Sequence, residues 1–162
     1  MKNVLFFSSI WMAAILIGCA TGNSRRMTNP GPENPLIGAW TLVSSNNTNP
    51  EGEYVIFDKS NTRQIKILTP DHFMFITERI ENGEKKFASA AGGRYELDGR
   101  TYIEYIDYAS WEDVRDAKAE FTWRIDNDRW YHTGLIYVSH GENILIEEVW
   151  ERVSDDDLDA SR

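Results

Sequence analysis

Glu120-Phe121-Thr122-Trp123-Arg124-Ile125-Asp126-Asn127-Asp128-Arg129-Trp130-Tyr131-His132-Thr133-Gly134 decides the fold. On both sides of Asn127-Asp128, large apolar and polar side chains alternate, which is the period of a half-buried strand and not of a helix. Asn-Asp between two such runs suits a two-residue turn with positive φ at both central positions, so the segment predicts a hairpin. Such a turn fixes register. Asp126 then faces Arg129, Ile125 faces Trp130, Trp123 faces His132, and Phe121 faces Gly134. That face is aromatic and points inward; Thr122, Arg124, Tyr131 and Thr133 form the solvated face.

The same signal recurs outward from this hairpin. Asn82-Gly83 separates runs 72–80 and 85–91, and Asp98-Gly99 separates 93–97 from 100–107. Around Asp98-Gly99 the reading sets Leu97 opposite Arg100, Tyr95 opposite Tyr102 and Gly93 opposite Glu104. His140-Gly141-Glu142-Asn143 supplies a longer turn before 144–153, and further strands are expected at 38–45, 53–57 and 63–68. Gly92-Gly93 reads as a bulge or barrel kink. The pattern predicts an all-β fold, an up-and-down antiparallel β-barrel of about 8–9 strands, because closure removes the exposed edges of a long meander. Two packed sheets are the alternative. One short helix is expected within 107–119, capped by Ser110 with Asp113 three residues on and with Trp111 leaning on the barrel.

Two short motifs bracket this meander. Gly38-Ala39-Trp40 opens its first strand, and Trp150-Glu151-Arg152 closes its last. Between them stand Gly92-Gly93-Arg94-Tyr95, Tyr102-Ile103-Glu104, Trp123-Arg124-Ile125-Asp126, Trp130-Tyr131 and Glu147-Glu148-Val149-Trp150. The arrangement resembles the lipocalins and wider calycins, and in particular small lipocalin-like bacterial proteins. The resemblance covers about residues 36–153. It implies a barrel end closed by the Trp40 indole, with the Arg152 guanidinium stacked on it and bonded to nearby carbonyls. The long C-terminal helix usual in lipocalins is missing from the pattern.

The N-terminal stretch sets the expected address. Lys2 precedes an apolar run over 4–17 that ends in Leu16-Ile17-Gly18-Cys19, and Cys19 is the single cysteine of the chain. This resembles a bacterial lipoprotein signal peptide with its lipobox. The resemblance implies cleavage before Cys19, acylation of that residue with chains such as palmitate, and attachment to a lipid bilayer in the bacterial cell envelope. Alanine at position 20, where aspartate would retain the protein, implies the outer membrane. The expected domains are a signal peptide over 1–18, a proline-rich tether over 19–35, the barrel over 36–153 and an acidic tail over 154–162. A formal net charge of −9 on 162 residues argues against nucleic acid and against electrostatic docking on anionic lipid. One cysteine excludes an internal disulfide, so the core alone must hold the domain.

A barrel of this size either fills with side chains or holds one small ligand. The expected inward positions are Trp40, Leu42, Tyr95, Tyr102, Glu104, Phe121, Trp123, Trp130, His132, Ile146, Glu148, Trp150 and Arg152. Tyr95, Tyr102, Glu104, Trp123, Trp130, His132 and Glu148 are the candidate ligand-binding residues, because few polar groups among aromatic walls orient a ligand. Glu104 is expected to meet Tyr102 and either Arg94 or His132; Glu148 is expected in a salt bridge at the closed end beside Arg152. No metal site or cofactor is expected: there is no His-x-x-x-His, no cysteine cluster, no nucleophile elbow and no phosphate loop, and the carboxylates of 107–116 fit no calcium loop. The leading expectation is a non-enzymatic binding protein for a small apolar or amphipathic ligand. Its alternative is an envelope protein-interaction or inhibitor module using Tyr105, Tyr108, Trp111, Tyr131 and Tyr137 on the outside.

Overall fold

A computed structural model describes residues 34–49 and 51–154 of the chain. The signal peptide, Cys19, the tether through residue 33 and the acidic tail from residue 155 lie outside the described residues.

The strands are β1 (Gly38–Thr48), β2 (Tyr54–Ile56), β3 (Thr62–Leu68), β4 (His72–Glu81), β5 (Glu84–Asp98), β6 (Thr101–Ala109), β7 (Lys118–Asp126), β8 (Arg129–Tyr137) and β9 (Ile144–Arg152). All neighbours are antiparallel. β1, β3, β4, β5, β6, β7, β8 and β9 follow one another around a ring, and β9 pairs with β1 to close it. The barrel therefore has eight strands. β2 stands outside the ring and pairs only with β1, through Asn46 to Thr48. The runs 85–91 and 93–97 are one bent strand, β5, whose first part pairs with β4 and whose last part pairs with β6.

Two of the three tight turns follow their expected register. Asn82 and Gly83 both have positive φ, as do Asn127 and Asp128, and Asp126 faces Arg129 with Ile125 on Trp130 and Trp123 on His132. The third is corrected. Asp98 pairs with Thr101, which leaves Gly99 and Arg100 as the turn, and only Gly99 has positive φ (58°). Glycine at the first central position is the mark of a type II′ turn, so the hairpin is built on Gly-Arg and not on Asp-Gly. Tyr95 consequently opposes Glu104, and Leu97 opposes Tyr102. Each partner moves by two residues, a whole period of the strand, so the faces are unchanged.

Gly92-Gly93 does sit at a bulge between β5 and β6. A Cβ on Gly93 would run into the Tyr105 carbonyl and the Asp107 amide. The expected helix is a single 3-10 turn, Glu112–Val114, without a side-chain cap. Ser110 does not cap it; its hydroxyl instead accepts the Ala90 amide at 3.1 Å, tying the loop back to β5.

The closed end forms where β1 meets β9. Trp40 is paired with Arg152, and the guanidinium lies 4.2 Å from the centre of the indole. Its Nη1 donates to the Ile37 carbonyl at 2.9 Å and its Nη2 to the Pro35 carbonyl at 2.6 Å. The Trp40 indole N–H donates to Leu36 at 2.8 Å. A Cβ on Gly38 would stand 2.6 Å from Arg152 Nη1, and Gly38 itself has φ of 131°, so glycine there is a condition of this lid. Asn34 also belongs to this end, donating to the Tyr95 hydroxyl at 2.7 Å. Arg152, read as inward, is exposed: it covers the end from outside.

Candidate functional site

Above the lid the barrel is filled with aromatic rings. Trp130 sits at the centre, fully buried, with Trp40 at 5.5 Å and Tyr102 at 5.4 Å edge-on, and Trp150 stacked at 6.1 Å. Tyr95 packs on Tyr102 at 5.4 Å and donates to the Thr69 carbonyl at 2.6 Å. These rings occupy the half of the barrel next to Arg152. The other half is open, with a cavity of about 580 Å³. Its walls include Phe75, Phe121, Trp111, Ile136, Ile144, Ile146 and Trp150, and its rim includes Val55, Arg79 and Phe87. It opens where β1 leaves β3: the pairing ends at Thr41 with Ile65, after which β1 carries β2 instead. A groove between β2 and β4, lined by Ile56, Phe57, Ile80 and Lys86, joins the mouth through Val55, Thr77, Arg79 and Phe87.

Four ionisable side chains line this cavity from within the wall: Lys66, Glu104, His132 and Glu148. Lys66 is 3% exposed and Glu104 4%. The Lys66 ammonium pairs with Glu104 Oε1, and the Tyr102 hydroxyl donates to the same oxygen at 2.6 Å. Nζ also lies 5.2–5.6 Å from the ring centres of Phe73, Tyr102, Trp130 and Trp150, a box of four π faces. Burial, and then the Glu104 charge, push the Tyr102 hydroxyl well above its usual range, so it stays a neutral donor.

His132 is 1% exposed and lies between rings, stacked 4.7 Å from Phe121 and edge-on 4.8 Å from Trp130. Its Nε2 is 2.7 Å from Glu148 Oε2, which also accepts the Trp150 indole N–H at 3.1 Å. Burial dominates at His132 and lowers its pKa, leaving the imidazole neutral. At Glu148 burial pushes upward, but the hydrogen bond from His132 and the charge of Lys66 outweigh it, and the pKa is lowered. An ionised Glu148 against a neutral imidazole requires the proton on Nε2. Nδ1 then carries a bare lone pair, and it has no partner among the described residues.

The candidate residues therefore separate. Glu104, His132 and Glu148 line the cavity; Tyr95, Tyr102, Trp123 and Trp130 do not. Tyr102 stands behind the cavity wall, bonded to Glu104 and stacked on Phe121 and His132, and Trp123 is half-buried at the far end of β7. The expected partners are corrected. Glu104 meets Lys66 instead of Arg94 or His132, since Arg94 lies on the outer face and approaches Asp107 at 3.4 Å. Glu148 lies opposite Ser45, away from the lid, and pairs with His132, not with Arg152. Trp111, read as an outer-surface aromatic, packs on Phe75 at 6.2 Å and lines the cavity. Tyr108 and Tyr137 are exposed.

Lys66 is the residue the sequence reading missed. In β3, Ile65 and Ile67 are 36% and 40% exposed while Lys66 and Leu68 face inward, so polarity and position are inverted. The signal that locates it is the register of β1, where inward Trp40 stands opposite Lys66. Among the described residues no group of three or more His, Cys, Asp or Glu side chains could hold a metal ion.

Comparison with known proteins gives a family and distant structures. A bovine odorant binding protein in complex with a selenium-containing odorant is 17% identical, with a TM-score of 0.42 over 78% of this chain and 80% of that one. A deswapped triple mutant of bovine odorant binding protein is 19% identical, with a TM-score of 0.42 over 77% and 80%. The bovine protein in complex with undecanal is 18% identical, with a TM-score of 0.38 over 78% and 77%. No curated protein matches the chain. One family model spans residues 35–160, from the carbonyl that Arg152 grips to beyond the last strand, and by that match the chain belongs to the family described as "Domain of unknown function (DUF4488)".

Proposed function

We propose that the chain is a non-enzymatic binding protein that holds one small amphipathic molecule in the open half of its barrel, and that acylated Cys19 tethers it to a bacterial envelope membrane. The carrying observation is the cavity. Its volume, about 580 Å³, is in the range of small-molecule sites, most of its wall surface is apolar, and its buried ionisable groups are fixed by partners. Trp40 and Arg152 close one end, and the cavity opens past Val55, Arg79 and Phe87.

Titration with an environment-sensitive apolar dye tests the binding. Saturable uptake near one molecule per chain is expected, with Trp150 in the wall quenched as the dye enters. Ser89→Trp, at the mouth, should abolish uptake without unfolding the barrel. A folded protein that takes up no dye, or a variant that takes it up equally well, would refute the reading. The tether is tested separately by metabolic labelling with palmitate: label should partition with membranes and vanish in Cys19→Ala.

A further inference from the structure

Building on the cavity as a binding site, we propose that its ligand is an amphiphilic amine, whose ammonium group rests against Glu148 while its apolar body fills the cavity toward the mouth. Charge at the cavity floor points this way. Glu104 and Glu148 are carboxylates there, and Lys66 is the one ammonium, already committed to Glu104. His132 adds no charge. Arg79 is the other cation lining the cavity, but it stands exposed at the rim, where water competes for it. The floor thus carries one carboxylate more than it has cations to match. An anionic headgroup would bring a third negative charge into a space with low dielectric.

The unused hydrogen-bonding capacity has the same sense. Glu148 Oε2 takes His132 and Trp150, whereas among the described residues Oε1 has only Asn47, at 3.3 Å. A carboxylate accepts about four hydrogen bonds. The remaining lone pairs of Glu148 call for donors, and an alkylammonium brings three. The aromatic walls suit a cation as well: Phe121 and Trp150 stand beside these acceptors, and the protein already holds one ammonium, that of Lys66, against four rings.

Three ligands of equal chain length, decylammonium, decanol and decanoate, titrated calorimetrically into the purified protein at pH 7.5, separate the possibilities. Decylammonium should bind about tenfold or more tightly than decanol, with decanoate weakest, because a charge-assisted hydrogen bond replaces a neutral one. In Glu148→Gln the amine should lose its advantage over decanol. Decanoate binding as tightly as the amine, or decanol matching it, would overturn the amine while leaving the cavity as a binding site. An amine preference that persists in Glu148→Gln would overturn the assignment to that residue. Failure of all three to bind would overturn the binding site itself. Where Glu148→Gln does not fold, the wild-type series alone decides between amine and no amine.

Discussion

Replacing Lys66 by methionine isolates what the buried ion pair contributes. Methionine keeps an unbranched apolar stem among Phe73, Tyr102, Trp130 and Trp150 and removes only the charge. Glu104, 4% exposed, is left with the Tyr102 hydroxyl as its single partner among the described residues. Stranding one member of a buried pair costs about 3–5 kcal/mol, a large share of the 5–15 kcal/mol that holds a domain of this size. At about 4 °C per kcal/mol the melting temperature should fall by roughly 12–20 °C. Lys66→Met with Glu104→Gln should recover most of this, because the amide oxygen still accepts from Tyr102 and no charge is stranded. Urea unfolding of wild type, both single variants and the double variant gives the coupling directly, and about 2–4 kcal/mol is expected. A single variant that loses less than about 1 kcal/mol, or a double variant that loses the sum of both, would refute the reading of Lys66 and Glu104 as one unit.

Arg152→Lys should destabilise by about 1–2 kcal/mol in urea, since lysine cannot stack on Trp40 and reach the Ile37 and Pro35 carbonyls together; an unchanged midpoint would count against the lid. Gly93→Ala should fail to fold or lose about 3 kcal/mol or more, because its Cβ meets backbone on β6 that cannot move aside. Gly99→Ala, with positive φ but open space around it, should cost only about 1–2 kcal/mol. If thermal melts show equal losses for the two glycine variants, the bulge carries no steric demand. Acid should weaken the fold through His132, whose folded pKa lies below its unfolded value of about 6.5. The unfolded chain then binds the extra proton, so stability falls as pH drops below about 6.5, and Glu148, also lowered, adds to the loss below about 4.5. Glu148, Glu104, Lys66 and Tyr102 are the charged and titratable groups facing this imidazole or its partner, and the urea midpoint should drop less between pH 7.5 and 5.5 in His132→Gln than in wild type.

How much of this was legible in the sequence depends on where two-residue turns set the register. The hairpin at Asn127-Asp128 fixed both faces of β7 and β8, and with them the inward placement of Phe121, Trp130 and His132. At Asp98-Gly99 the dipeptide signal was right about a turn and off by one residue about its centre, because a glycine can serve type I′ at the second position or type II′ at the first. The faces survived, but the cross-strand partners did not. Trp40 and Arg152 were legible as an end closure because one stacking contact ties the first strand to the last. Partners across the ring were not. Glu104 on β6 meets Lys66 on β3, which lies far off in sequence and carries its polarity reversed. No local pattern assigns such a lysine inward.

That reversal is tied to the cavity. A barrel packed solid can obey alternation everywhere: apolar inside, polar outside. A barrel with a polar-floored cavity must put charged groups inside, and each inward charge displaces an apolar residue from its usual face. Here the exchange is visible across β3 and β4, where Ile65 faces Ile76 and Ile67 faces Met74 on the outer wall, all four more than a third exposed, while Lys66 and Thr77 face in. Exposing four apolar side chains forgoes burial worth about 1.5–3 kcal/mol for each one fully buried, a cost that packing alone would not impose. The strands that break the pattern are those whose inner faces carry Lys66, Phe75 and Thr77 into the cavity wall. Departures from local rules concentrate where function constrains a protein, and in this chain they concentrate on the open half of the barrel, above the aromatic plug and facing Glu148.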